Sequence, residues 1–198
     1  MRNRTASAIQ RAKSNCYGAQ FTVTCRRLGS RAGVHGLERR LTTILSADVA
    51  GYSRLMERDE AGTLAELLDR QSTIIVPLID RLGGRIVKTL GDGFLADFAS
   101  VVNAVSFAAE MQQASEARNA NLPEARRMSF RIGINLSDVI VDQNDVFGEG
   151  VNVATRLQAI AEPGSIFISD SVWQQVNLQL PLDFEDAGKR QLKDSSGL

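Results

Sequence analysis

Apolar and polar residues change their spacing several times along this chain, and each change marks an element. From Leu41 the run LTTILSAD is apolar and β-branched until it closes on Asp48. That is the pattern of a buried strand whose last residue emerges at the sheet edge. Residues 60–82 then place Leu64, Leu67, Leu68, Ile75, Leu78, Ile79 and Leu82 at spacings of three and four, which predicts a helix with one apolar face. Pro77 should kink or divide that helix, because it lacks an N–H and its ring crowds the carbonyl four residues back. The Gly83-Gly84 pair should stop it. RIVKTL and FLADF are short strand-like runs on either side of Gly91-Asp92-Gly93, a turn sequence that predicts an antiparallel hairpin with Asp92 at its tip.

Residues 99–119 read as a second long helix with Val102, Val105, Phe107 and Met111 on it, and the polar stretch to Arg127 reads as a loop. MSFRIGINLSDVIV is a long strand candidate. Asp145 precedes Val146-Phe147-Gly148 in what reads as a polar loop. Gly148 to Ala161 is a third helix stopped by Pro163-Gly164, SIFIS is a strand, and Asp170 is the expected N-cap of a short final helix. The order strand, helix, hairpin, helix, strand, helix, strand lacks strict alternation of strand and helix. It predicts an α+β fold, with helices packed on an antiparallel sheet.

Composition adds a boundary to this picture. In a chain of 198 residues, 43% hydrophobic positions suffice for the core of one domain. The 23 basic and 23 acidic residues balance overall, yet residues 1–36 hold seven Arg or Lys and no acid. The remainder is therefore net acidic, which disfavours non-specific binding to nucleic acid or anionic lipid and requires a local site for any phosphate. The basic segment lacks periodicity and a signal-peptide core. We expect residues 1–37 to be a disordered extension, better explained by a start site upstream of the domain than by a transit peptide. Cys16 and Cys25 belong to no CxxC pair, which fits a reducing, cytoplasmic compartment. His35 is the one histidine, so His-based zinc sites and Ser-His-Asp chemistry are excluded from the folded body. The longest uncharged stretch of that body, Phe98 to Ala109, is far short of a membrane span, so no membrane segment is expected.

The remaining chemistry must come from carboxylates, amides, Lys, Arg or metals bound through oxygen. Asp48 at a strand end and Asp92 at a hairpin tip can meet at one sheet edge, where paired carboxylates and a triphosphate cage Mg²⁺. Taken singly, Asp48 can equally cap a helix starting near Tyr52, and Asp92 can simply fill a turn. Asn152 and Arg156, four apart on the third helix, share a face directed away from Val153, Leu157, Ile160 and Ala161. They can hold a ribose and a phosphoryl oxygen or line a solvated surface. Lys88 and Asp145 can read an adenine edge, one donating to a ring nitrogen and the other accepting from the exocyclic amine, or be ordinary surface charges.

Five segments in order, ILSADVAGYSRLM, GGRIVKTLGDGFLADF, RIGINLSDVIV, DVFGEGVNVATRL and EPGSIFIS, resemble the successive signatures of class III adenylate and guanylate cyclases, particularly the bacterial stand-alone type. The resemblance covers about residues 38–176. It implies a ferredoxin-like α+β catalytic domain over residues 38–198. It implies two Mg²⁺ or Mn²⁺ ions held by Asp48, Asp92 and the backbone carbonyl of Val49, with Lys88 and Asp145 as the purine readers in the form expected for ATP. Asn152 and Arg156 match the residues that orient the ribose and stabilise the transition state, and Lys193 matches a triphosphate contact. It further implies a homodimer whose active sites are shared across the interface, and formation of cyclic AMP without a covalent intermediate. Such domains usually continue past GKRQLKDSSGL into a final strand, which suggests a missing strand here. The contrasting expectation is an inactive cyclase-like module that dimerises or binds nucleotide. A diguanylate cyclase would need a GG[DE]EF turn, and GDGF stands in its place.

Overall fold

The computed structural model describes residues 38–142 and 145–188. The N-terminal segment with Cys16, Cys25 and His35, the C-terminal residues with Lys193, and the question of a final strand all fall outside them. Within them the α+β expectation holds. Strands β1 (Glu38–Val49), β2 (Gly84–Leu90), β3 (Gly93–Phe98), β4 (Phe130–Asp142) and β5 (Asp145–Phe147) form a sheet in the order β2-β3-β1-β4-β5. Each of these neighbours is antiparallel. Strand β6 (Ile166–Ile168) pairs in parallel with β4, so the sheet is mixed rather than wholly antiparallel. A parallel neighbour requires a crossover, and helix α5 (Glu149–Ile160) supplies it.

Strand alternation divides β1 between two cores. Leu45, Ala47 and Val49 face a large cluster with Phe94, Phe98, Phe107, Met111, Phe130 and Ile132, covered by α4 (Val101–Asn119) and α6 (Asp170–Val176). Ile44 faces a smaller cluster with Leu95, Val139, Val146 and Ala154, covered by α5. The small cluster is where α5 comes close. A Cβ at Gly133 on β4 would lie 2.2 Å from the Ala154 carbonyl oxygen and 2.3 Å from the Gln158 nitrogen, so only glycine admits the helix. Gly133→Ala should therefore destabilise the fold by about 1–3 kcal/mol, read as a lower denaturant midpoint at unchanged slope.

Four details differ from the sequence expectation. The predicted helix over 60–82 is a helical run in three parts: α2 (Glu60–Arg70), a π-helical turn (Gln71–Ile75) and α3 (Val76–Arg81). Pro77 enters in the first turn of α3, where its missing N–H is tolerated, directly after a π turn closed by the Val76 N–H on the Gln71 carbonyl. The buried face of α2 is also rotated: Leu64 and Leu68 are exposed, whereas Thr63, Leu67 and Arg70 are buried. Arg70 is tolerated there because its donors are satisfied. It reaches Glu66 and the Asn119 amide oxygen at 2.7 Å each, and the carbonyls of Ser115 and Met128 at 3.3 and 3.4 Å. The stretch Asp145–Phe147 is a short strand rather than a loop. The final helix is preceded by Ser169, with Asp170 its first helical residue. Among the described residues no helix is long and apolar enough to cross a membrane.

Candidate active site

Asp48 stands one residue before the end of β1, opposite Gly93 on β3 and Arg131 on β4. Gly93 is dictated by crowding: a Cβ there would sit 2.4 Å from the Ala47 carbonyl oxygen and 3.1 Å from Asp48 Cβ. The hairpin joining β2 to β3 has the two-residue turn Gly91-Asp92, with Gly91 in the left-handed region at φ 63°. Its tip is tied to β1 because the Val49 N–H donates to the Asp92 carbonyl at 3.3 Å. Asp48, Val49 and Asp92 thus share one corner of the sheet. The helix-capping alternative for Asp48 does not hold, since Gly51 precedes α1 (Tyr52–Arg58) without a side-chain cap.

The electrostatics of this corner come from three groups. Arg131 grips Asp48 with two donors, Nε to Oδ1 at 3.0 Å and Nη2 to Oδ2. That bond to Asp48 holds the guanidinium pKa above its ordinary value. Burial pushes the Asp92 carboxyl above the usual carboxylate range, and the charge of Asp48 adds to the rise, while its own backbone amide and Arg131 oppose it. Asp92 also lines a small cavity with Thr89, Phe94, Phe130 and Gln71, the residue that opens the π turn.

These donors fit a hard divalent cation. Among the described residues no three His, Cys, Asp or Glu side chains cluster. A metal here would take two carboxylates and a backbone carbonyl and leave its remaining positions to water and phosphate, as Mg²⁺ prefers. A guanidinium already lies against one of those carboxylates.

The other predicted residues form two further groups. Lys88 Nζ lies 3.6 Å from Asp145 Oδ2, although β2 and β5 are at opposite ends of the strand order. The sheet curls enough to bring its edges together. Asp145 Oδ1 also accepts from the Val146 N–H at 2.9 Å, which steadies the carboxylate. On α5, Asn152 is exposed and Arg156 half-buried, and both reach Glu149, each at 3.5 Å. The buried face of α5 is Gly150, Ala154, Leu157 and Gln158, so Val153 and Ile160 sit at its margin rather than on it. Sequence reasoning missed Arg131 and Glu149. Glu149 lies three residues before Asn152 and seven before Arg156, a helical spacing that could have pointed to it. Arg131 depends on strand register.

The family model described as adenylate and guanylate cyclase catalytic domain matches residues 38–197. A provisionally named adenylate cyclase of Rhizobium meliloti is 47% identical over 158 residues, covering 80% of this chain and 27% of the relative. An adenylate cyclase of Streptomyces coelicolor is 32% identical over 140 residues, covering 71% of this chain and 35% of the relative. The chain therefore spans about a quarter to a third of the length of these relatives. The solved structure of an adenylate/guanylate cyclase/hydrolase from Silicibacter pomeroyi superposes with a TM-score of 0.76 at 45% identity, covering 80% of this chain and 92% of that one.

Proposed function

The chain belongs to the adenylate and guanylate cyclase catalytic domain family, and from that premise we propose that it converts ATP to 3′,5′-cyclic AMP and pyrophosphate as a homodimer with shared active sites. The observation that carries the reading is the convergence of Asp48, Val49 and Asp92 at one sheet corner. In the reaction the ribose 3′-oxygen bonds to the α-phosphorus as the bond to the bridging oxygen of the β-phosphate breaks. The hydroxyl proton passes to water and pyrophosphate departs. Two Mg²⁺ or Mn²⁺ ions bound by Asp48, Asp92 and the Val49 carbonyl would supply Lewis-acid stabilisation of charge on the attacking and leaving oxygens. Asn152 orients the ribose, and Arg156 donates its planar fork to the α-phosphoryl oxygens as charge builds on them. Most of the acceleration on this reading is positioning and charge stabilisation.

Base choice rests on Lys88 and Asp145, whose pairing holds a donor and an acceptor side by side. Adenine meets that pattern and guanine inverts it, leaving polar groups unpaired. Purified protein given ATP or GTP with Mn²⁺ should form cyclic AMP with kcat/KM at least about tenfold above that for cyclic GMP, the ratio that 1.4 kcal/mol produces. Chromatographic detection of product decides the matter. Equal rates on both nucleotides would remove the Lys88/Asp145 assignment, and no cyclic product from either would overturn the enzyme reading.

A further inference from the structure

We propose that Arg131 is a positioning residue that occupies Asp48 in the metal-free protein, so that a divalent cation enters the site in competition with its guanidinium. The inference rests on the metal role proposed for Asp48 and Asp92. Its basis is geometric. Asp48 and Arg131 are directly opposed in the β1/β4 register, so the sheet sets their side chains next to each other on one face. Both oxygens of Asp48 are engaged, one by Nε at 3.0 Å and the other by Nη2. The pair is mostly sheltered, with side chains 22% and 29% exposed, which makes the contact stronger than a surface ion pair of the same length.

The fork takes one site on each Asp48 oxygen, so a metal competes with it for the carboxylate's lone pairs. A guanidinium that stays close lies beside a divalent charge that repels it. Both effects weaken metal binding relative to a site without Arg131. What Arg131 provides in return is a held carboxylate: without it, Asp48 and Asp92 would face each other with no cation between metal-binding events. A residue that merely braced the ligand would act with the opposite sign, since its loss would loosen Asp48 and weaken the metal.

The test is Mn²⁺ alone, without nucleotide, titrated into the full chain and followed by electron paramagnetic resonance of the free ion. Asp92→Asn should lose saturable binding, which reports on the site itself. Arg131→Met should bind Mn²⁺ about tenfold more tightly than the wild type, a change equal to about 1.4 kcal/mol. Arg131→Lys, which keeps the charge without the two-pronged grip, should fall between them. Unchanged or weaker Mn²⁺ affinity in Arg131→Met, with Asp92→Asn still defective, would overturn the inference and leave the metal site standing. Absence of saturable binding in the wild type would overturn both. Should Arg131→Met fail to fold, the wild-type protein decides through the ¹⁵N resonance of the Arg131 side chain during Mg²⁺ titration. Loss of the protected Nε–H signal is expected, and its persistence at saturation would overturn the proposal.

Discussion

Asp92→Ala should abolish cyclic nucleotide formation while leaving the chain folded, with turnover lower by about a thousandfold, because on the proposed reading it removes a metal ligand and with it several kcal/mol of charge stabilisation. Asp92 is the cleaner of the two positions. It occupies a two-residue turn whose tie to β1 runs through its backbone carbonyl, which alanine retains. Asp48→Ala should lose activity to the same extent, but it also strips Arg131 of its partner. That guanidinium is partly exposed and can be solvated, so the stability cost should stay small beside the catalytic one. Turnover by either variant, measured under saturating ATP and Mn²⁺, above about a tenth of wild type would show that the carboxylate is not a metal ligand. Circular dichroism matching wild type separates loss of chemistry from loss of fold.

The parts of this molecule that were legible in its sequence are those governed by local chemistry. The Gly91-Asp92-Gly93 turn and its hairpin follow from the backbone freedom of glycine, and the strand ending at Asp48 follows from a run of β-branched and apolar residues. What was not legible depends on partners distant in the chain. Leu64 and Leu68 fit a helical apolar stripe yet face solvent, because Arg70 takes the core position and finds Glu66 on its own helix but Asn119 and two carbonyls on distant segments. No spacing rule anticipates a fully buried arginine. Likewise Asp145 read as part of a loop because a three-residue strand has too few positions to show alternation, and it pairs only because Ile140–Asp142 of β4 lie opposite. Arg131 lies in the strand segment RIGINLSDVIV, but its contact with Asp48 requires the β1/β4 register, which two strands some eighty residues apart in sequence do not reveal.

The same separation between groups leads to the second large effect, which tests assembly. On the proposed reading each active site takes Asp48 and Asp92 from one subunit and Lys88, Asp145, Asn152 and Arg156 from the other. The chain itself brings the residues together as an Asp48/Asp92/Arg131 corner, a Lys88–Asp145 pair and an Asn152/Arg156 set around Glu149. Asp92→Ala and Asn152→Ala homodimers should each be nearly inactive, since every site in them carries a defect. Mixed, they form heterodimers in which one site inherits both substitutions and the other inherits neither. With free exchange about half the dimers are mixed and each contains one intact site, so activity should return to roughly a quarter of wild type. Specific activity of the wild type should fall on dilution as dimers dissociate. An active site complete within one chain predicts no recovery at any mixing ratio, so persistent inactivity in a mixture whose subunit exchange has been shown by labelled chains would refute the shared site.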